Sequence, residues 1–185
     1  MIQISELIFL DAIKSKDQEE LWELMWEIYP PVYMHYWKDD CSWYLTNIYN
    51  QENLDLELNQ EGGSYNFIRF RESNTEAFQT IGILKTISDC TYEPLAEPNA
   101  LKVHRIYLKQ EMQGKGIGKQ LMNYCEYLAR SKKSNLIWLD AMEKQTQAQA
   151  FYKGLGYYKS GSQLLDFNLL HDDYRRICYM HKMLS

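Results

Sequence analysis

Three glycines at alternate positions, Gly114, Gly116 and Gly118, separate a β-prone run from a strong helical pattern. The run before them is 101–108 (LKVHRIYL), and the helix spans 119–130 with Leu121, Met122, Cys125, Leu128 and Ala129 on one face. A helix start leaves backbone N–H groups unpaired and carries partial positive charge. Glycines let an anion approach that backbone closely, so strand, glycine loop and helix together predict a phosphate cradle. Lys115 and Lys119 add charge beside it. A glycine-rich turn without a ligand is the alternative for the loop taken alone. The GxxxxGK[ST] loop is absent, and GxGxG here is not the GxGxxG dinucleotide fingerprint.

The rest of the chain fits around that unit. Residues 4–13 read as a strand. Ser15 and Gln18 suggest a capping box, and Leu21, Leu24, Met25 and Ile28 a helix face, which Pro30-Pro31 stops or redirects. A second helix is expected near Ser42, with another turn or two at 53–59. Residues 65–71 and 77–87 read as a hairpin after the Glu61–Ser64 turn. A buried-type strand at 135–141, a short helix at 146–153 and strands at 157–167 and 175–184 complete the order. This is an α/β arrangement, antiparallel early and with a parallel βαβ unit late.

Composition narrows the function. The 185 residues suit one domain, and a net charge of -5 argues against a nucleic-acid partner. No run approaches a membrane span, and the start lacks the pattern of a signal peptide. Cys41, Cys90, Cys125 and Cys178 have no metal-ligand spacing and read as free thiols of a reducing cytoplasm. The four histidines are scattered, so no metal site is implied.

Gln113-x-x-Gly116-x-Gly118 resembles the [Q/R]xxGx[G/A] pyrophosphate loop of the Gcn5-related N-acetyltransferases. The segment Gln145-x-x-Ala148-x-x-Phe151-Tyr152-Lys153-Gly154-Leu155-Gly156-Tyr157 resembles that family's NxxAxxFYxxxGF segment. The two motifs stand in the right order, and the specific likeness covers 101–158. It implies a mixed, mostly antiparallel central sheet whose fourth and fifth strands splay apart, flanked by helices, as a single domain over 1–185.

It also implies acetyl-CoA as cosubstrate and a primary amine of a small molecule as acceptor, attacking directly in a ternary complex. The amides of Gln113, Gly114, Lys115, Gly116, Ile117, Gly118 and Lys119 would hold the pyrophosphate. Ile106, Tyr107 and Leu108 would meet the pantetheine arm, with Gln145 and Ala148 beyond. Tyr152 falls on the general-acid position. Gln145 replaces the usual Asn with a longer amide. Lys102 stands where relatives carry a glutamate base, and His104, two residues on, has a suitable intrinsic pKa; a solvated strand histidine is the alternative.

The acceptor site should come from the variable early helices, where His35, Tyr36, Trp37 and Trp43 lie near Asp39, Asp40 and Tyr44, and from the loop carrying Asp166, His171, Asp172 and Asp173. Core packing is the competing role for most of those aromatics. The layout resembles bacterial polyamine-type members. A non-catalytic acetyl-CoA sensor and a protein-directed acetyltransferase are the other readings, and a homodimer is allowed by the family.

Overall fold

The computed structural model describes residues 1–184. One eight-stranded sheet runs in the order β1-β2-β3-β4-β5-β6-β8-β7. Its strands are β1 (Ile2–Gln3), β2 (Ile8–Ala12), β3 (Gly63–Phe70), β4 (Gln79–Ile87), β5 (Ala100–Leu108), β6 (Leu136–Met142), β7 (Tyr158–Leu164) and β8 (Arg176–Met183). Every neighbouring pair is antiparallel except β5 and β6. The helices are α1 (Gln18–Ile28), α2 (Pro30–Tyr33), α3 (Ser42–Ile48), α4 (Gln51–Leu58), α5 (Ile117–Ser131) and α6 (Thr146–Gly154). The extra two-residue β1 makes the expected fourth and fifth strands β5 and β6.

One detail differs from the sequence expectation. Ser15 does not cap α1: the Ser15 Oγ accepts from Gln51 Nε2 at 2.8 Å, and Gln18 Nε2 donates to the Tyr49 carbonyl at 2.8 Å. Both side chains reach across to the α3–α4 region instead of closing a local box. The Asp17 carboxylate takes the Lys14 N–H at 2.9 Å. Pro30-Pro31 redirects the chain without ending its helical course, because both prolines sit in the first turn of α2, where the missing N–H groups have no partner to lose.

The sheet has a core on each face. Leu121, Met122, Cys125 and Ala129 of α5 pack with Leu101, Val103, Ile137 and Leu139. On the other face Leu21, Leu24, Met25 and Ile28 of α1 join Leu45, Leu54, Phe67 and Ile83.

β5 carries a bulge that decides which residues face which core. Lys85 pairs with Arg105 and the next residue, Thr86, with Val103, so His104 is the extra residue. Leu101 and Val103 pack on the α5 side, and beyond the bulge Ile106 and Leu108 do so. Tyr107 turns to the helices of the opposite face. The alternation has shifted by one.

That shift puts a cation into the interior. Arg105 Nη1 lies 2.5 Å from Glu57 Oε2, and the fully buried Lys85 Nζ lies 3.3 Å from the same oxygen. Burial, with the cations Arg105 and Lys102 nearby, outweighs the attraction of Glu57 and pushes the Lys85 amine down to about 8. Burial alone would raise Glu57, but Arg105 and Lys85 more than offset it and hold its carboxyl below the usual range. Removing Glu57 leaves two buried cations uncompensated, whereas removing Lys85 leaves a one-to-one pair. Glu57→Gln is therefore expected to lose about 3–5 kcal/mol of stability, and Lys85→Met to stay within about 1 kcal/mol of the parent, by urea unfolding.

Candidate active site

β5 and β6 pair only at Ala100–Leu136, Leu101–Ile137 and Lys102–Trp138. Beyond Lys102 the two strands separate, β6 continuing against β8 as far as Met142 and β5 against β4 as far as Leu108. The Lys109 N–H bonds the Ile81 carbonyl at 2.9 Å. Antiparallel ladders alternate, so Tyr107 and Arg105 also turn their backbone groups to β4. Ile106 and Leu108 turn theirs to the open side, towards the gap. Gln113 Nε2 donates to the Leu108 carbonyl at 3.2 Å and ties the glycine loop to the strand end.

The loop has the geometry of an anion cradle. Gly114 and Gly116 hold φ of 75° and 78°, and a Cβ at either would meet nothing within 4 Å. Gly116 is the N-cap of the fifteen-residue α5. A phosphate can therefore come up to bare backbone at a helix start, and the residues present fit a pyrophosphate. Ile117 contributes backbone only, since its side chain is buried in the core. Lys115 Nζ lies 3.8 Å from Met112 Sδ, and Lys119 is exposed. A Cβ on Gly118 would stand 3.3 Å from the Phe151 ring, so the first turn of α5 abuts α6 one residue from Tyr152.

The gap opens into a cavity of about 420 Å³. Of the residues expected in the site, His104, Ile106, Tyr107, Gln145, Ala148, Tyr152 and Trp37 line it. His35, Tyr36 and Trp43 do not. Tyr36 is buried and stacked on Tyr174 at 4.1 Å, with His35 edge-on to both rings. Trp43 is 39% exposed and packs on Phe167 and Trp37. These three side chains build the cavity's outer scaffold. In their place stand Tyr29, Tyr33, Tyr44 and Phe167, together with Glu57, Arg105 and Asp140.

Tyr33 Oη donates to Gln145 Oε1 at 3.0 Å, joining α2 to the N-cap of α6. The longer amide of Gln145 is thus held by its carbonyl oxygen. Burial, then Cys125 and Asp140, push the Tyr152 phenol well above its usual range, so it stays protonated. Burial, then Arg105, Lys85 and Lys102, push His104 down to about 2, and its Nδ1 has no hydrogen-bond partner. The imidazole is neutral at pH 7. Among the described residues no three His, Cys, Asp or Glu side chains converge as a metal site.

The chain matches the acetyltransferase (GNAT) family over residues 19–157. It belongs to that family. An uncharacterized N-acetyltransferase in the pepI 3' region of Lactobacillus delbrueckii subsp. lactis is 28% identical over 118 residues, covering 64% of this chain and 65% of that relative's length. The crystal structure of PaiA N-acetyltransferase from Thermoplasma acidophilum, in complex with coenzyme A, superposes at TM-score 0.67 with 21% identity, over 96% of this chain and 99% of that one. A spermidine N-acetyltransferase from Vibrio cholerae, in complex with CoA and spermine, gives TM-score 0.67 with 14% identity, over 97% and 96%. At these identities the likeness to the two structures is one of fold.

The left-handed backbone at Gly116 has a measurable consequence. Gly116→Ala is expected to fold but lose about 1–2 kcal/mol, and Gly116→Asn less, since asparagine tolerates that conformation. Thermal unfolding of the two variants checks the order.

Proposed function

We propose that residues 1–185 act as one acetyltransferase domain that moves the acetyl group of acetyl-CoA to a primary amine of a small molecule in a ternary complex. The observation that supports this most is continuity. A strand edge with open backbone groups runs from a glycine-loop helix start into a cavity lined by Tyr152.

The residues divide the work. The backbone from Gln113 to Lys119 holds the pyrophosphate. The open backbone groups of Ile106 and Leu108 hold the pantetheine arm as an added strand would, with Tyr107, Gln145 and Ala148 beside it. Acetyl-CoA supplies an activated acetyl group and a thiol leaving group. Tyr152 enters protonated and donates from its Oη to the departing sulfur. His104, kept neutral, accepts a hydrogen bond from the amine but is too weak a base to retain its proton. The amine loses its proton to solvent before attack.

His35, Tyr36 and Trp43 support the acceptor site from outside the cavity, and Trp37 from its wall. Four free cysteines, three of them buried, fit a reducing cytoplasm. No helix among the described residues is long and apolar enough to cross a membrane. A homodimer has an exposed edge to form on, since β7 ends the sheet with Tyr158 and Leu164 exposed. The half-buried His104, its Nδ1 without a hydrogen-bond partner, and Gln145 in place of the usual Asn favour a non-catalytic acetyl-CoA sensor.

Thiol release from acetyl-CoA against a panel of amines tests the reading. Tyr152→Phe is expected to lower kcat by about 10²-fold or more while acetyl-CoA still raises the melting temperature. If no amine in the panel releases thiol while the melting shift is retained, the sensor and protein-directed readings would stand in its place. With no base titrating near pH 6.5, log kcat/KM should rise with unit slope from pH 6 to the acceptor's own pKa. A plateau beginning near pH 7 would restore His104 as the base.

A further inference from the structure

The acceptor end of the cavity has an aromatic wall and no unpaired carboxylate. Tyr29 stacks on Tyr33 at 4.4 Å and on Tyr44 at 4.6 Å. Trp37 lies 5.2 Å from Tyr44 and 5.8 Å from Phe167, which continues the wall into the loop before β8. The charged side chains lining the cavity are Glu57, Arg105 and Asp140. Both acids are already engaged: Glu57 Oε2 by Arg105 and Lys85, and Asp140 Oδ2 by Lys102 Nζ at 2.8 Å. Two carboxylates thus face three cations, a local balance of plus one.

This balance bears on the acceptor directly. A polycationic amine brings one or more ammonium groups besides the one that reacts. Each needs a carboxylate or water once it leaves solvent, and an unpaired one in an apolar cavity is costly. Breaking the Glu57 pair to serve it would strand two buried cations, and breaking the Asp140 pair a half-buried one. A single amine on a flat apolar body meets neither problem. Its ring packs on the aromatic wall, and its one charge is attracted to ring faces until the proton leaves. The local positive balance also favours loss of that proton, the step for which His104 is too weak.

We infer that the acceptor is a monoamine on an aromatic or flat apolar body, seated against Tyr33, Trp37, Tyr44 and Phe167, and that polyamines are excluded. The inference rests on the proposed acetyl transfer. Asp39, whose Oδ2 accepts the Trp43 N–H at 2.7 Å, does not line the cavity, and Asp40, Asp166 and Asp172 are exposed, with charges screened by solvent. They leave the cavity's own balance unchanged.

The test uses the full chain saturated with CoA. Calorimetry measures binding of 2-phenylethylamine, tyramine, butylamine and spermidine, and thiol release measures turnover of the same amines with acetyl-CoA. The expected result is tighter binding and at least tenfold higher kcat/KM for the aromatic monoamines than for spermidine. Phe167→Leu keeps apolar bulk in a half-buried loop position, and should weaken phenylethylamine about five-fold while leaving butylamine nearly unchanged. Spermidine binding tighter than both aromatic amines would overturn the inference, as would an absence of aromatic-amine binding. Aromatic binding without thiol release would uphold the inference about the cavity while sinking the transferase reading.

Discussion

Where β5 stops pairing with β6 decides the rest of the cleft. Three residue pairs hold the two strands together, and after Lys102 they part. A parallel pair that ran its full length would have used the open backbone groups of Ile106 and Leu108 internally. It would also have closed the space that Tyr152 and the aromatic wall now surround. The separation is sustained from both sides, because β4 and β8 hold the parting strands in separate antiparallel ladders. A cavity is thus kept open inside a continuous sheet, at the junction of the two cores.

The same region concentrates electrostatic risk. Glu57 stands on a short surface helix yet neutralises two cations from the sheet, one of them fully buried. Arg105 also lies over the rings of Tyr49 and Tyr65 at 5.6 and 5.9 Å, which spreads part of its charge onto aromatic faces. Stability and chemistry are therefore coupled through one carboxylate. The group that makes the buried cations tolerable also lines the cavity and fixes its charge balance.

Much of this was legible in the sequence, and the exceptions have physical causes. The glycine loop, α5 and its apolar face stood out because local periodicity and local backbone demands agree there. The gap-lining residues Ile106, Gln145, Ala148 and Tyr152 were reached through motif resemblance. The acceptor wall was only partly reached: Pro30-Pro31 reads as a stop or a redirection, and it is the fold that shows the chain restarting its helix and carrying Tyr33 into the cleft. Tyr36 and Trp43 belong to the same aromatic cluster, but ring packing spends them on support. Glu57 was missed because QENLDLEL reads as a solvated helix. Its signal was Lys85, a lone cation within the apolar run ILKTI, which requires an acid from elsewhere. The bulge left a trace as well: the apolar residues facing α5 are odd-numbered at 101 and 103, and even-numbered at 106 and 108.

That change of parity makes the strand beyond the bulge intolerant of length variation. Deleting His104 would restore a regular ladder with every face kept, but deleting Arg105 with the bulge in place would send every later residue of β5 to the opposite face. Tyr107 would be driven into the packed side of α5, while Ile106 and Leu108 would lose their place there, and the backbone groups now open to the gap would be exchanged for those of their neighbours. The loop at 71–78, with mostly exposed residues between β3 and β4, has no such linkage. Insertions and deletions in descendants of this chain should therefore collect in the hairpin loop, while β5 from Arg105 onward changes by substitution alone.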